Sequence, residues 1–124
     1  DTNDHPYFEQ ISQLQVSSHL LIERNGSIIQ FVPFNKKAWH AGISKFQGRE
    51  NCNEFSIGIE LEGTDNLDYT KNQYESLVEA TKEIMKVYPA ISKENIVGHS
   101  DIAPDRKTDP GDSFNWNLYL HNLV

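Results

Sequence analysis

The run Gly98-His99-Ser100-Asp101-Ile102-Ala103-Pro104-Asp105-Arg106-Lys107-Thr108-Asp109-Pro110-Gly111 gathers a histidine, several carboxylates and two cations into one short stretch. His99 and Asp109 carry the nitrogen and oxygen donors that zinc accepts. Lys107 lies two residues before Asp109 and can set a positive charge beside a bound metal. Prolines fix φ and remove backbone donors, so the stretch is expected to form a loop held open rather than a helix. Rigid, open loops are where catalytic groups tend to sit. A metal-dependent hydrolase is one reading. The other is a polar surface loop whose acids and bases pair with one another, since loop histidines are common.

Zinc catalysis needs three protein ligands and a position left for water. The metal acidifies that water, a carboxylate takes the proton, and a cation can stabilise the oxyanion. Glu60 is a candidate general base, on the polar side of a strand that runs into a glycine-bearing turn. It also reads as an ordinary solvated strand residue. Trp39 and His40, between Ala38 and Ala41-Gly42, could line a substrate cleft. A core tryptophan beneath a long loop fits them equally. His19, within an apolar strand, reads as a satisfied structural histidine. His5 and His121 look like helix-end or surface residues. Cys52 has no histidine beside it in sequence and makes a weak nucleophile candidate.

These groups need a scaffold. Asp4 to Leu14 reads as a short helix capped by Asp4, with Pro6 in its first turn. Ser17 to Glu23 and Ser27 to Val32 read as a hairpin closed by Asn25-Gly26 in a type I′ turn. Phe34 to Asn53 reads as a long irregular stretch, a length that is usually functional. Phe55 to Glu62 reads as a strand with Ile57, Ile59 and Leu61 on one face and Gly58, Glu60 and Glu62 on the other. Thr70 with Gln73 makes a capping box, followed by helical spacing of apolar residues from Tyr74 to Tyr88 and a stop at Pro89. Asn95 to Gly98 reads as a short strand entering the loop. Ser113 is expected to cap a last helix that runs through Asn122 and buries Trp116, Leu120 and Leu123. The order of elements predicts an α/β fold, a mixed sheet covered by helices.

The chain has 124 residues, enough for one domain with one core. No run approaches membrane-spanning length. The net charge of −7 argues against a nucleic-acid partner, because no basic stripe is present to neutralise phosphates. The single cysteine excludes an internal disulfide and fits a reducing compartment. Residues 1–6 lack the basic and apolar runs of a signal peptide. The absence of an initiator methionine suits a start inside a longer chain.

Three motifs now stand in order: Ala38-Trp39-His40-Ala41-Gly42, Ser56-Ile57-Gly58-Ile59-Glu60-Leu61-Glu62-Gly63-Thr64, and the run from Gly98 to Gly111. Together they resemble the zinc-dependent N-acetylmuramoyl-L-alanine amidases, whose fold is shared with peptidoglycan recognition proteins. The match is best to the branch that cleaves 1,6-anhydromuramyl peptides in bacterial cell-wall recycling, and it runs from His5 to the C-terminus. The resemblance implies Zn2+ as cofactor, with His99 and Asp109 as two of its ligands. It implies Glu60 as the acid–base carboxylate and Lys107 as the oxyanion-stabilising residue. Trp39, His40, Ala41, Phe46 and Ala103 would wall the muropeptide. The implied reaction is hydrolysis of the amide between the lactyl group of the muramyl sugar and L-alanine.

The family's first zinc ligand is a histidine on a strand that would precede Asp1, and His5 aligns after it. Residues 1–124 are therefore expected to be a catalytic domain lacking its N-terminal strand and its third ligand, impaired when alone. Some relatives carry arginine near Gln15 and Asn51, so the carboxylate-binding end of the pocket is expected to differ here. The implied setting is the bacterial cytoplasm. The implied partner is a small muropeptide, with no nucleic acid and no membrane. The protein is expected to be a monomer, and three origins stay open for the missing segment: absent from the sequence, cleaved away, or supplied as a separate chain. A peptidoglycan-fragment binding module without hydrolysis is the alternative function.

Overall fold

The computed structural model describes residues 18–38, 41, 44–50, 52, 55–63, 67–105 and 107–123. The expected helix from Asp4 to Leu14, and Trp39 and His40, lie outside the described residues. Strands β1 (Leu20–Ile22) and β2 (Ile28–Gln30) pair antiparallel, with Leu21 opposite Ile29. Strand β5 (Ile59–Leu61) lies on the other side of β1 and runs parallel to it, with Leu21 opposite Glu60. The sheet is therefore mixed, as the order of elements predicts. Each strand is three residues long, shorter than the apolar runs suggest.

The hairpin turn differs from expectation. Type I′ needs positive φ at both central residues, yet only Gly26 has it, at +92°. The Gly26 N–H bonds Glu23 O at 2.8 Å, and the Glu23 N–H bonds Ser27 O at 2.9 Å. Arg24, Asn25 and Gly26 thus form a three-residue loop, a type I turn closed by a left-handed glycine. Tertiary partners favour that longer loop, because Glu62 captures the Arg24 N–H and Thr70 captures the Arg24 carbonyl. A turn with the type I′ signs forms elsewhere, at Gln47 (φ +49°) and Gly48 (φ +85°). It joins β3 (Lys45–Phe46) to β4 (Arg49–Glu50), an antiparallel ribbon inside the stretch expected to be irregular.

Helix α1 spans Lys71–Val87 and begins as predicted, with Thr70 and Gln73 exchanging both capping-box bonds. Gln73 is fully buried. Its Nε2 also donates to Ile22 O at 3.2 Å and to Glu62 O at 2.8 Å, tying the helix start to the ends of β1 and β5. Replacing Gln73 by Leu keeps the size but removes the side-chain partner of Glu62 O and of the Thr70 N–H, both partly buried. A loss of about 2–3 kcal/mol is expected, read as a lower urea midpoint at unchanged slope.

Residues 95–98 do not form the expected strand. Lys93–Asn95 make a short 3-10 turn instead, with the Ile96 N–H bonded to Lys93 O. Nor is the chemical loop wholly open: His99–Ile102 wind into one helical turn, α2. The Asp101 carboxylate accepts from the Gly98 N–H at 2.8 Å and starts that turn. Helix α3 covers Trp116–His121, and its cap is Asn115 rather than Ser113. Ser113 donates to Leu67 O, which takes it away from the helix end. The core joins Ile22 of β1 and Leu77 of α1 to Phe114, Tyr119 and Leu123, with Ile59 and Leu61 packed against them. Tyr119 was not foreseen; its hydroxyl meets Thr81 at 2.7 Å inside that core.

Candidate metal centre

Glu60 reaches the site because β5 alternates. Ile59 and Leu61 are half-buried and pack on the core, which turns Glu60 to the opposite, open face. The backbone of β5 matters as well. Gly58 O accepts from Leu20 N, and Glu62 N donates to Ile22 O. In a parallel ladder alternate residues bond to one neighbour, so the N–H and C=O of Ile59 and Leu61 turn away from β1. Among the described residues no strand covers that edge.

His19 fixes the start of β1. It is fully buried, its Nδ1 accepts from the Gly58 N–H at 3.1 Å, and its Nε2 lies 2.7 Å from Lys36 O. A carbonyl can only accept, so Nε2 carries the proton. Both nitrogens are in use, which bears out the structural reading of this histidine.

The other groups come from the 98–111 loop. His99 Nδ1 lies 3.3 Å from Asp109 Oδ2, and His99 Nε2 lies 3.0 Å from Ala41 O. Ala41 is buried, so it serves through its carbonyl. That carbonyl assigns the ring proton to Nε2 and leaves Nδ1 facing the carboxylate. A ligating histidine is commonly held in this way, with its second nitrogen donating to a backbone oxygen. The loop closes on itself through Ser100 N to Asp109 O at 3.0 Å and Lys107 N to Ala103 O at 2.9 Å. Ala103 is buried beneath the loop and donates its own N–H to His99 O. Phe46 of β3 stands half-buried on the wall of the same cleft as Glu60, His99 and Asp109.

The electrostatics join the four groups. The hydrogen bond to Asp109 holds the His99 pKa above its usual value, against the effect of burial. The same bond holds the Asp109 carboxyl below its usual range. The Glu60 carboxyl is raised, first by desolvation and then by the Asp109 charge, while His99 and Lys107 pull it back. Glu60 keeps part of its surface exposed, but enough protein surrounds its carboxyl to disfavour the charge. The charges of Asp109, His99 and Lys107 all act on Glu60, and that of Lys107 acts on His99 and Asp109 as well. The cleft measures about 940 Å³, with Leu77, Ile84 and Met85 of α1 on its apolar side. That volume is within the range of ligand sites.

The donor set fits a zinc ion in two positions, one imidazole nitrogen and one carboxylate oxygen. Among the described residues no group of three or more His, Cys, Asp or Glu side chains is placed to hold a metal. The sequence names His99, Asp109, Glu60 and Lys107 as candidates but carries no sign of the backbone that aims them. Gly98 is one such part. A Cβ there would stand 2.7 Å from Pro110 Cδ and 3.2 Å from Trp116 Cζ2. Neither ring can flex away, so Gly98→Ala must push the strand of loop that carries Asp109. The expected result is a loss of about 1–3 kcal/mol of stability together with weakened metal binding, read by urea unfolding and by competition with a chelator.

The family model for N-acetylmuramoyl-L-alanine amidase matches residues 1–112. The 1,6-anhydro-N-acetylmuramyl-L-alanine amidase AmpD of Escherichia coli is 60% identical over 116 residues, which cover 94% of this chain and 63% of that protein. The chain thus spans somewhat under two thirds of the length of that relative. A crystal structure of an AmpD derivative superposes with a TM-score of 0.86 at 56% identity, covering 100% of this chain and 69% of that one. The amidase AmiD of E. coli, solved with the substrate anhydro-N-acetylmuramic acid-L-Ala-D-gamma-Glu-L-Lys, superposes at 0.81 and 36% identity, covering 95% of this chain and 53% of that one. These superpositions bear out the mixed sheet flanked by helices.

Proposed function

Since the chain belongs to the N-acetylmuramoyl-L-alanine amidase family, we propose that it hydrolyses the amide joining a 1,6-anhydro-N-acetylmuramoyl group to L-alanine. The observation that carries this reading is the convergence of Glu60, His99 and Asp109 on one cleft, with the Lys107 charge acting on all three. His99 and Asp109 would hold a zinc ion, His99 through Nδ1. A third ligand, a histidine, would come from chain outside these residues. Among the described residues no strand lies on the Ile59 and Leu61 edge of β5, and this supports the reading, because a strand added there would pair beside the site.

The chemistry a zinc ion supplies in such a site is acidification of water and polarisation of the scissile carbonyl. Glu60 takes the proton released as water attacks and passes it to the departing alanine amine. A carboxylate is suited to hold that proton between the two steps. The Lys107 ammonium offsets the negative charge that develops on the carbonyl oxygen. The Ala41 carbonyl keeps the His99 ring from turning. Phe46, with Trp39 and His40, would contact the sugar and peptide. The setting would be the bacterial cytoplasm, and the working unit a monomer. No helix among the described residues is long and apolar enough to cross a membrane.

The test is release of free peptide from an anhydromuramyl peptide by the full-length natural protein, with zinc present. No release would sink the enzyme reading and leave a binding module. A strong chelator is expected to stop release, and added Zn2+ to restore it. Activity that survives complete metal removal would refute the zinc assignment.

A further inference from the structure

Glu60 and Asp109 are like charges carried by segments far apart in sequence, and the Asp109 charge raises the cost of ionising Glu60. Something must hold the loop of Asp109 against the β5–α1 junction. Tyr69 occupies that junction, one residue before the Thr70 cap and six after Gly63. Its hydroxyl donates to Pro110 O at 2.7 Å, the carbonyl next to Asp109. Its ring meets Phe114 edge-on at 5.7 Å, and its Cε1 closes over the α-carbon of Gly63, 3.6 Å from where a Cβ would stand. Gly63 has φ +147°, a conformation that side chains rarely adopt, so the turn that brings the chain under this ring calls for glycine. A second bond ties the same segments together, Ser113 Oγ to Leu67 O at 3.2 Å. That bond is exposed and longer, whereas the Tyr69 bond is partly buried.

We infer that Tyr69 is the positioning residue of this site: its hydroxyl, through the Pro110 carbonyl, sets where the Asp109 carboxylate stands relative to Glu60. It touches neither substrate nor metal. It acts as the partner behind a ligand, a role whose loss commonly weakens metal binding about 10- to 100-fold. This inference rests on the metal-site reading above, and the test separates the two.

The experiment compares Tyr69→Phe with Tyr74→Phe in the full-length protein. Tyr74 is the matched control. It stacks on the same Phe114 at 5.4 Å, and its hydroxyl accepts from Asn115 N at 2.8 Å, away from the Asp109 loop. Each variant removes one hydroxyl and keeps the ring. Two quantities are read. One is amide exchange of Ser100 in metal-free protein, since that N–H donates to Asp109 O. The other is Zn2+ affinity by chelator competition. The expected result is that Tyr69→Phe speeds Ser100 exchange and weakens Zn2+ binding, each about tenfold, while Tyr74→Phe does neither. Equal effects from both variants, or none from Tyr69→Phe, would overturn the inference. If the parent protein binds no Zn2+, the metal reading fails, and exchange at Ser100 alone decides for or against Tyr69.

Discussion

Glu60→Gln is expected to lower the rate of amide cleavage by about 10²- to 10⁴-fold while leaving Zn2+ affinity unchanged. Glutamine keeps the length and the hydrogen-bonding oxygen but cannot take a proton. Glu60→Ala should lose turnover to the same degree, since the missing function is proton transfer. Loss of fold is excluded as the cause by a separate sign. The Glu60 pKa is raised in the folded protein, chiefly by desolvation. An ionised carboxylate with a raised folded pKa destabilises the fold above its unfolded pKa, and the penalty disappears as pH falls. Metal-free Glu60→Gln should therefore unfold at the same urea concentration as the parent, or a higher one, at neutral pH. Turnover equal to the parent's would remove Glu60 as the base.

The second large effect is expected at Asp109. Asp109→Ala should weaken Zn2+ binding by at least about 100-fold, beyond what loss of a partner behind a ligand commonly costs. It removes a donor oxygen and also the group that holds His99 Nδ1 at 3.3 Å. The His99 pKa should fall toward its ordinary value, because the Asp109 hydrogen bond is the main cause of its elevation. Titration of the ring by NMR in metal-free protein reads this directly. Zn2+ affinity equal to the parent's would show that Asp109 is not a ligand.

What could be read from the sequence follows from where each signal is stored. Thr70 and Gln73 act within one helical turn, so the capping box is local and was legible. The alternation around Glu60 is equally local. The hairpin was legible but its turn was not, since Glu62 and Thr70 claim the Arg24 backbone from a distance. Ser113 failed as a cap for the same reason, with its hydroxyl engaged by Leu67. The winding of His99–Ile102 is masked in the sequence by the neighbouring prolines, while the bond from the Gly98 N–H to Asp101 that starts it shows only in the folded chain. In the site, His99, Asp109, Glu60 and Lys107 announce themselves by residue type and by resemblance. Ala41 and Pro110 act through carbonyls, which every residue has, and so carry no signature.

His19 has a consequence for how the protein assembles. Its ring bonds Lys36 on one side and Gly58 on the other, across separations of 17 and 39 residues. Closing such loops costs entropy before any ladder bond forms, and non-local pairing slows folding. Docking β5 on β1 and seating this imidazole close the same long loop. Glu60 is therefore expected to reach its place with these non-local contacts rather than with the local hairpin.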